Sequence, residues 1–190
     1  MLNLKILSVL CFATLVTGCA SLIGETTQEP ITTTPGLRSA GTVIEDEIIE
    51  NKILVNLGKG SDMVKNAHIN VVSFNENVLL VGQVPTEQAK TEAAAIAQST
   101  RKVNSVHNEL LVAGPTSLII RSNDTYLTSR AKVSLLASQN ANGIRVKVIT
   151  ENGTVFLMGL VTREEGQAAV DEIVTISGVR RIVKVFEYIN

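Results

Sequence analysis

The chain has 190 residues, with 17 Lys and Arg balancing 18 Asp and Glu, no tryptophan, two tyrosines and four phenylalanines. A near-neutral charge without a long basic run, together with so few aromatics, excludes the cationic stacking surface of a nucleic-acid binder. Cys11 and Cys19 are the only cysteines and both precede residue 20, so the remainder builds neither a disulfide framework nor a thiolate metal site.

Lys5 precedes an apolar run from Ile6 to Val16, which ends at Thr17-Gly18-Cys19. That run is too short to span a bilayer and reads as the h-region of a secretory signal. Leu15-Val-Thr-Gly-Cys19 resembles the lipobox of bacterial lipoproteins. The resemblance implies that residues 1–18 are a cleaved signal peptide and that Cys19 carries the lipid. Ala20 follows Cys19 in place of an inner-membrane retention aspartate, which implies the outer membrane. The other reading is an ordinary signal peptide with a chance cysteine. Several acyl chains on one residue would anchor firmly, each buried methylene contributing about 0.8 kcal/mol.

From Ser21 to Thr42 the chain is rich in Thr, Gly and Pro and has almost no apolar period, so residues 19–43 read as an acylated cysteine and flexible tether. The first folded unit is expected over residues 44–113. Ile49, Ile53 and Leu57 recur at helical spacing, with Glu45, Asp46 and Glu47 expected in the first turn, where the helix dipole favours them. Ile69, Val71 and Ser73 alternate into the turn at Asn75–Asn77 and the strand Val78–Val84. Pro85 and Thr86 open a helix with inner stripe Ala89, Ala93, Ile96 and Thr100, and a strand from Val106 to Val112 ends before Gly114-Pro115.

Residues 114–121 read as a linker, and residues 122–190 repeat the order. Asp124 is the expected N-cap, and Leu127, Ala131 and Leu135 take the places of Ile49, Ile53 and Leu57. Val146, Val148 and Thr150 lead into Asn152-Gly153, a tight-hairpin signal. Thr162 and Glu165 form a capping box for a helix with Gly166, Val170, Ile173 and Ser177 inward. The last strand is Ile182–Ile189.

Glu151-Asn-Gly-Thr-Val-Phe-Leu-Met-Gly-Leu-Val161 and Asn75-Glu-Asn-Val-Leu-Leu-Val-Gly-Gln-Val84 align with Gly159 on Gly82, which marks a tandem duplication. The predicted fold class is α+β: two tandem domains, each α-β-β-α-β, with both helices on one face of a three-stranded mixed sheet. Gly82 and Gly159 are structural glycines, expected at a bulge or a close backbone approach.

The order of elements, the glycine in the second strand and the ending Ser177-Gly-Val-Arg-Arg-Ile182 resemble the BON domain family. Two-domain lipoproteins of that family are resembled at Arg38-Ser39, Gly41-Thr42, Ser122-Asn-Asp-Thr125, Glu151-Asn-Gly153 and Val155-Phe-Leu-Met-Gly-Leu-Val-Thr162.

A search for catalysis in the sequence returns little. His68 and His107 occupy unrelated repeat positions without metal-ligand spacing, and each reads as solvated or structural. Glu45, Asp46, Glu47 and Glu50 read as a solvated helix turn, Gly58-Lys-Gly60 lacks the rest of a P-loop, and no histidine is placed to activate Ser122. The expectation is a protein that is not an enzyme and has neither cofactor nor metal.

The two copies differ in their first helices. At about 100° per residue, a core face of Leu127, Ala131 and Leu135 puts Tyr126, Val133 and Leu136 on the outer arc, with Arg130 and Lys132 on its flanks. An apolar centre with cationic edges suits a helix lying in a membrane interface. Burial against the other domain or against Leu118–Ile120 is the alternative. The matching arc of copy one has Ile48 and Val55 beside Glu47 and Glu50, an anionic surround that a membrane of the same sign would repel.

The family resemblance implies binding of anionic phospholipid, phosphatidylglycerol in particular, by the second domain, with Ile119 of the preceding segment added to the site. It further implies a role in outer-membrane integrity on the periplasmic face, enrichment at the division septum and an influence on the β-barrel assembly machinery. A protein-interaction module acting on that machinery or on a cell-wall enzyme is the alternative function.

Overall fold

The computed structural model describes residues 36–190. The expected signal peptide, Cys19 and the expected tether up to residue 35 lie outside the described residues. In chain order the elements are α1 (Ala40–Leu57), α2 (Asp62–Lys65), β1 (His68–Phe74), β2 (Asn77–Val84), α3 (Glu87–Gln98), β3 (Ser105–Val112), α4 (Leu118–Ala137), a 3-10 turn (Gly143–Arg145), β4 (Val146–Glu151), β5 (Thr154–Val161), α5 (Arg163–Val174) and β6 (Arg181–Tyr188). Each copy is therefore the α-β-β-α-β unit read from the sequence, with a short extra turn of helix before its first strand.

Both hairpins close through two left-handed residues, Asn75 and Glu76 at φ 53° and 64° and Asn152 and Gly153 at φ 48° and 70°. This turn matches the twist of the strands it joins. In each sheet the second strand is central, antiparallel to the first and parallel to the third. Pairing Ile69 with Gly82 and Val146 with Gly159 brings backbones close at the two glycines. A methyl group at Gly159 would stand 2.6 Å from the Arg145 carbonyl oxygen, and one at Gly82, which has φ 129°, would run into the His68 carbonyl.

One face of each sheet carries its own pair of helices. Val71, Val78, Leu80, Val84 and Leu110 pack on Ile49, Ile53 and Leu57 of α1 and on the small stripe Ala89, Ala93 and Ala97 of α3. Val146, Val148, Val155, Leu157 and Val161 pack on Leu127, Ala131 and Leu135 of α4 and on Ala169 and Ile173 of α5. The opposite faces pack on each other: Val72, Phe74, Leu79 and Val81 meet Ile149, Phe156 and Met158 in a shared third core. The described chain is thus four layers, helices, sheet, sheet, helices. Burial of each large side chain in that middle layer contributes about 1.5–3 kcal/mol.

Polar contacts line the same seam. Gln83 Nε2 donates to Glu151 Oε1 at 2.7 Å, and Lys147 Nζ reaches Glu50 Oε1 at 3.0 Å and the Ser73 carbonyl at 3.2 Å.

Several expectations are corrected. Ser39 caps α1 through the Thr42 amide, so residues 40–43 are helical rather than tether, and Glu45, Asp46 and Glu47 lie past the first turn. Asp46 is buried, not solvated. Its carboxylate accepts the Ser73 hydroxyl at 2.7 Å, the Asn75 and Glu76 amides at 2.9 Å each, and Arg38 Nη1 at 2.7 Å. Ser117, not Asp124, caps α4, and residues 118–121 are helical rather than linker. On α3 the buried third position is Ala97, with Ile96 half-buried; on the last helical stretch Ser177 is exposed and Ile176 is buried in its place. Ile48 and Val55, whose burial the sequence leaves open, are exposed.

Candidate functional site

The most exposed apolar surface of the second copy is the outer side of α4. Burial of Asp124, Leu127, Ala131 and Leu135 fixes which side faces the core. Asp124 sets the helix against its sheet, because its two carboxylate oxygens accept the Asn152 and Gly153 amides at 2.7 and 2.8 Å. Thr128 adds a 2.8 Å hydroxyl contact to Thr150.

Held in this way, α4 turns Ile119, Tyr126, Val133 and Leu136 to solvent at 82, 56, 68 and 63% exposure. The alternative reading of that arc, burial against the other domain or against Leu118–Ile120, does not hold, since Leu118 and Ile119 are themselves exposed members of the helix. Arg130 lies one turn after Tyr126, its guanidinium 5.9 Å from the ring centroid and Nη1 3.4 Å from the phenolic oxygen. It thus sits on the strip with its charge at the aromatic rim. Lys132 stands on the far flank, lining a polar hollow of about 380 Å³ with Arg121, Thr125, Ser129 and Glu151. The structure brings Ile119, Tyr126, Arg130 and Val133 onto one arc, with Leu136 toward the flank of Lys132.

Ile144 is a further exposed apolar side chain near the end of α4 and went unnoticed in the sequence. It is exposed in the 3-10 turn, next to Gly143, whose Cα lies against the Leu135–Leu136 backbone. Its signal is a lone isoleucine in a turn, out of phase with the following strand. That turn is pinned by Arg145 and Asn142, which donate to Glu165 Oε1 at 3.0 and 3.1 Å. Burial pushes the Glu165 carboxyl up, but the Thr162 amide, Asn142 and Arg145 outweigh it and hold it below the usual carboxylate range.

The histidines do not converge. His68 opens β1 with Nε2 3.7 Å from Glu151 Oε2, while His107 lies on β3. Among the described residues no three His, Cys, Asp or Glu side chains are grouped to hold a metal, and no helix is long and apolar enough to cross a membrane.

Two repeated α-β-β-α-β units joined sheet to sheet define a duplicated α+β domain pair. The BON domain profile matches residues 45–114 and 123–190, and the chain belongs to the BON domain family. It is 38% identical over 190 residues to the outer membrane lipoprotein DolP of Haemophilus influenzae, covering 98% of this chain and 97% of that protein. It is 37% identical over 153 residues to the 21 kDa hemolysin of Actinobacillus pleuropneumoniae, covering 80% and 79% of the two chains. The osmotically-inducible protein Y of Escherichia coli K12 is 28% identical over 149 residues, covering 77% and 74%.

Proposed function

We propose that this chain is a non-enzymatic outer-membrane lipoprotein of the periplasmic face, anchored through Cys19, whose second BON domain binds anionic phospholipid, phosphatidylglycerol in particular, through α4. The carrying observation is the solvent-facing strip Ile119, Tyr126, Val133 and Leu136 with Arg130 at its aromatic rim. Tyrosine settles at headgroup depth, aliphatic side chains enter the acyl boundary, and Arg130 and Lys132 reach phosphates from either side.

The near-full-length likeness to a protein named outer membrane lipoprotein supports the anchor and location. The anchor supplies residence and α4 supplies lipid selectivity, so two weak attachments combine through effective concentration. Maintenance of outer-membrane integrity, enrichment at the division septum and an influence on the β-barrel assembly machinery belong to this reading through the family resemblance.

The test is chemical-shift mapping of the chain from Ser21 onward, which keeps every described residue, against phosphatidylglycerol micelles. Shifts at Ile119, Tyr126, Arg130, Val133 and Leu136 are expected. Silence at these positions sinks the proposed site.

A further inference from the structure

The first copy has its own unpartnered surface, and its charge is not what the sequence suggests. Ile44, Ile48 and Val55 are exposed on the outer side of α1. Beside them, a groove of about 470 Å³ runs between α1 and the turn that follows α3, lined by Ile48, Asn51, Lys52, Val55, Ser99 and Arg101. Two of the carboxylates that make this helix look anionic are neutralised. Glu50 turns into the seam between the sheets and pairs with Lys147, and Glu45 pairs with Lys102 at 2.7 Å. The Lys102 ammonium holds the Glu45 carboxyl below its ordinary range against partial burial, and the charges of Lys102, Lys52 and Arg101 add to the effect. Three cations therefore stand around Glu45, and two of them, Lys52 and Arg101, line the groove. Among the described residues neither makes an ion pair, and of the four acidic side chains Glu45, Asp46, Glu47 and Glu50 only the exposed Glu47 is left without one.

We propose that this groove docks an acidic, amphipathic segment of another protein, with an apolar side chain seated on Ile48 and Val55 and carboxylates toward Lys52 and Arg101. Charge complementarity selects the occupant's sign. Shape selects its class, because a groove walled by the Ser99–Arg101 turn and edged by Asn51 and Ser99 suits a side chain and its polar neighbours, as in helix-in-groove recognition. The layer order puts α1 and α4 on opposite outer faces. With α4 on the bilayer the groove looks into the aqueous space, an orientation that rests on the proposed lipid reading.

The test titrates the chain from Ser21 onward with a synthetic helical peptide carrying a leucine stripe flanked by glutamates, and with its twin bearing lysines for the glutamates. Amide shifts at Ile48, Lys52, Val55 and Arg101 are expected with the acidic peptide alone. The double variant Lys52→Glu, Arg101→Glu is expected to weaken binding on the order of tenfold or more, while Tyr126→Glu leaves it unchanged. No response, or an equal response to both peptides, overturns the proposal. So does a response of Val55 to phosphatidylglycerol vesicles equal to that of Tyr126, which would make α1 a second lipid surface. Concentration-dependent shifts at Val55 with no peptide and a dimer mass in sedimentation would assign the face to a second copy. Tyr126 is read separately against vesicles, so failure of the groove and failure of the lipid site are distinguishable.

Discussion

Asp46 and Asp124 hold the same station in the two copies: each lies on the inner side of its first helix and accepts the two backbone amides of the hairpin turn beyond, at 2.9 and 2.9 Å in one and 2.7 and 2.8 Å in the other. The left-handed turn leaves those amides pointing one way, and a buried carboxylate satisfies both. This contact fixes the first helix of each unit, and so fixes which residues of α4 face outward.

Asp46 gives a pH signature. Burial alone would raise its carboxyl, but the Glu76 amide, Ser73 hydroxyl, Asn75 amide and Arg38 guanidinium together hold it below the normal range. A depressed folded value means stability that is present above the unfolded value of about 4 and is lost as pH falls through the folded one. Asp46→Asn is expected to cost on the order of 2–3 kcal/mol at neutral pH and to flatten the loss of stability below about pH 4. Urea denaturation at several pH values reads both effects, and equal acid sensitivity of the variant would refute the assignment.

Gly82 has no room for a side chain. Gly82→Ala combines a positive φ with collision against the His68 carbonyl, so a loss of about 3 kcal/mol or more is expected. Gly41→Ala is the control: it lies in α1 with its nearest neighbour, Ser39 Oγ, at 3.7 Å. It should be neutral or stabilising by up to about 1 kcal/mol. Thermal melts of the pair decide it, and a tolerated Gly82→Ala would contradict the register.

Phe156 belongs to the core shared by both sheets. Phe156→Ala is expected to cost about 3–5 kcal/mol and to raise amide exchange at Leu79 and Val81 of the first copy as well as in β5. Exchange confined to the second copy would mean that the two units do not share a core.

The order of elements, both hairpins and the inner stripes of the first helices were legible in the sequence because each is a local pattern. The sheet-to-sheet layer was half legible. Val78–Val81 and Val155–Met158 are unbroken apolar runs, which announce strands buried on both faces but not the partner of the second face. The helix starts at Ala40 and Leu118 were obscured by composition: Gly41 and Thr42 read as tether, and Ser117 fell in the expected linker while Asp124 read as the cap. The station of Asp46 was hidden because its partners Ser73, Asn75 and Glu76 lie a strand away. For the candidate site, helical phase was enough to place Tyr126, Val133 and Leu136 outward; Ile144 sits in an irregular turn that no period describes.

The most direct measurement is vesicle partitioning of the chain from Ser21 onward, comparing phosphatidylglycerol with phosphatidylcholine at low and high salt, for the wild type and Tyr126→Glu. The account predicts preference for the anionic vesicles, weakening with salt, and a loss on the order of tenfold or more in the variant, since a carboxylate replaces an interfacial aromatic. Binding that ignores lipid charge, or that survives Tyr126→Glu unchanged, would contradict it.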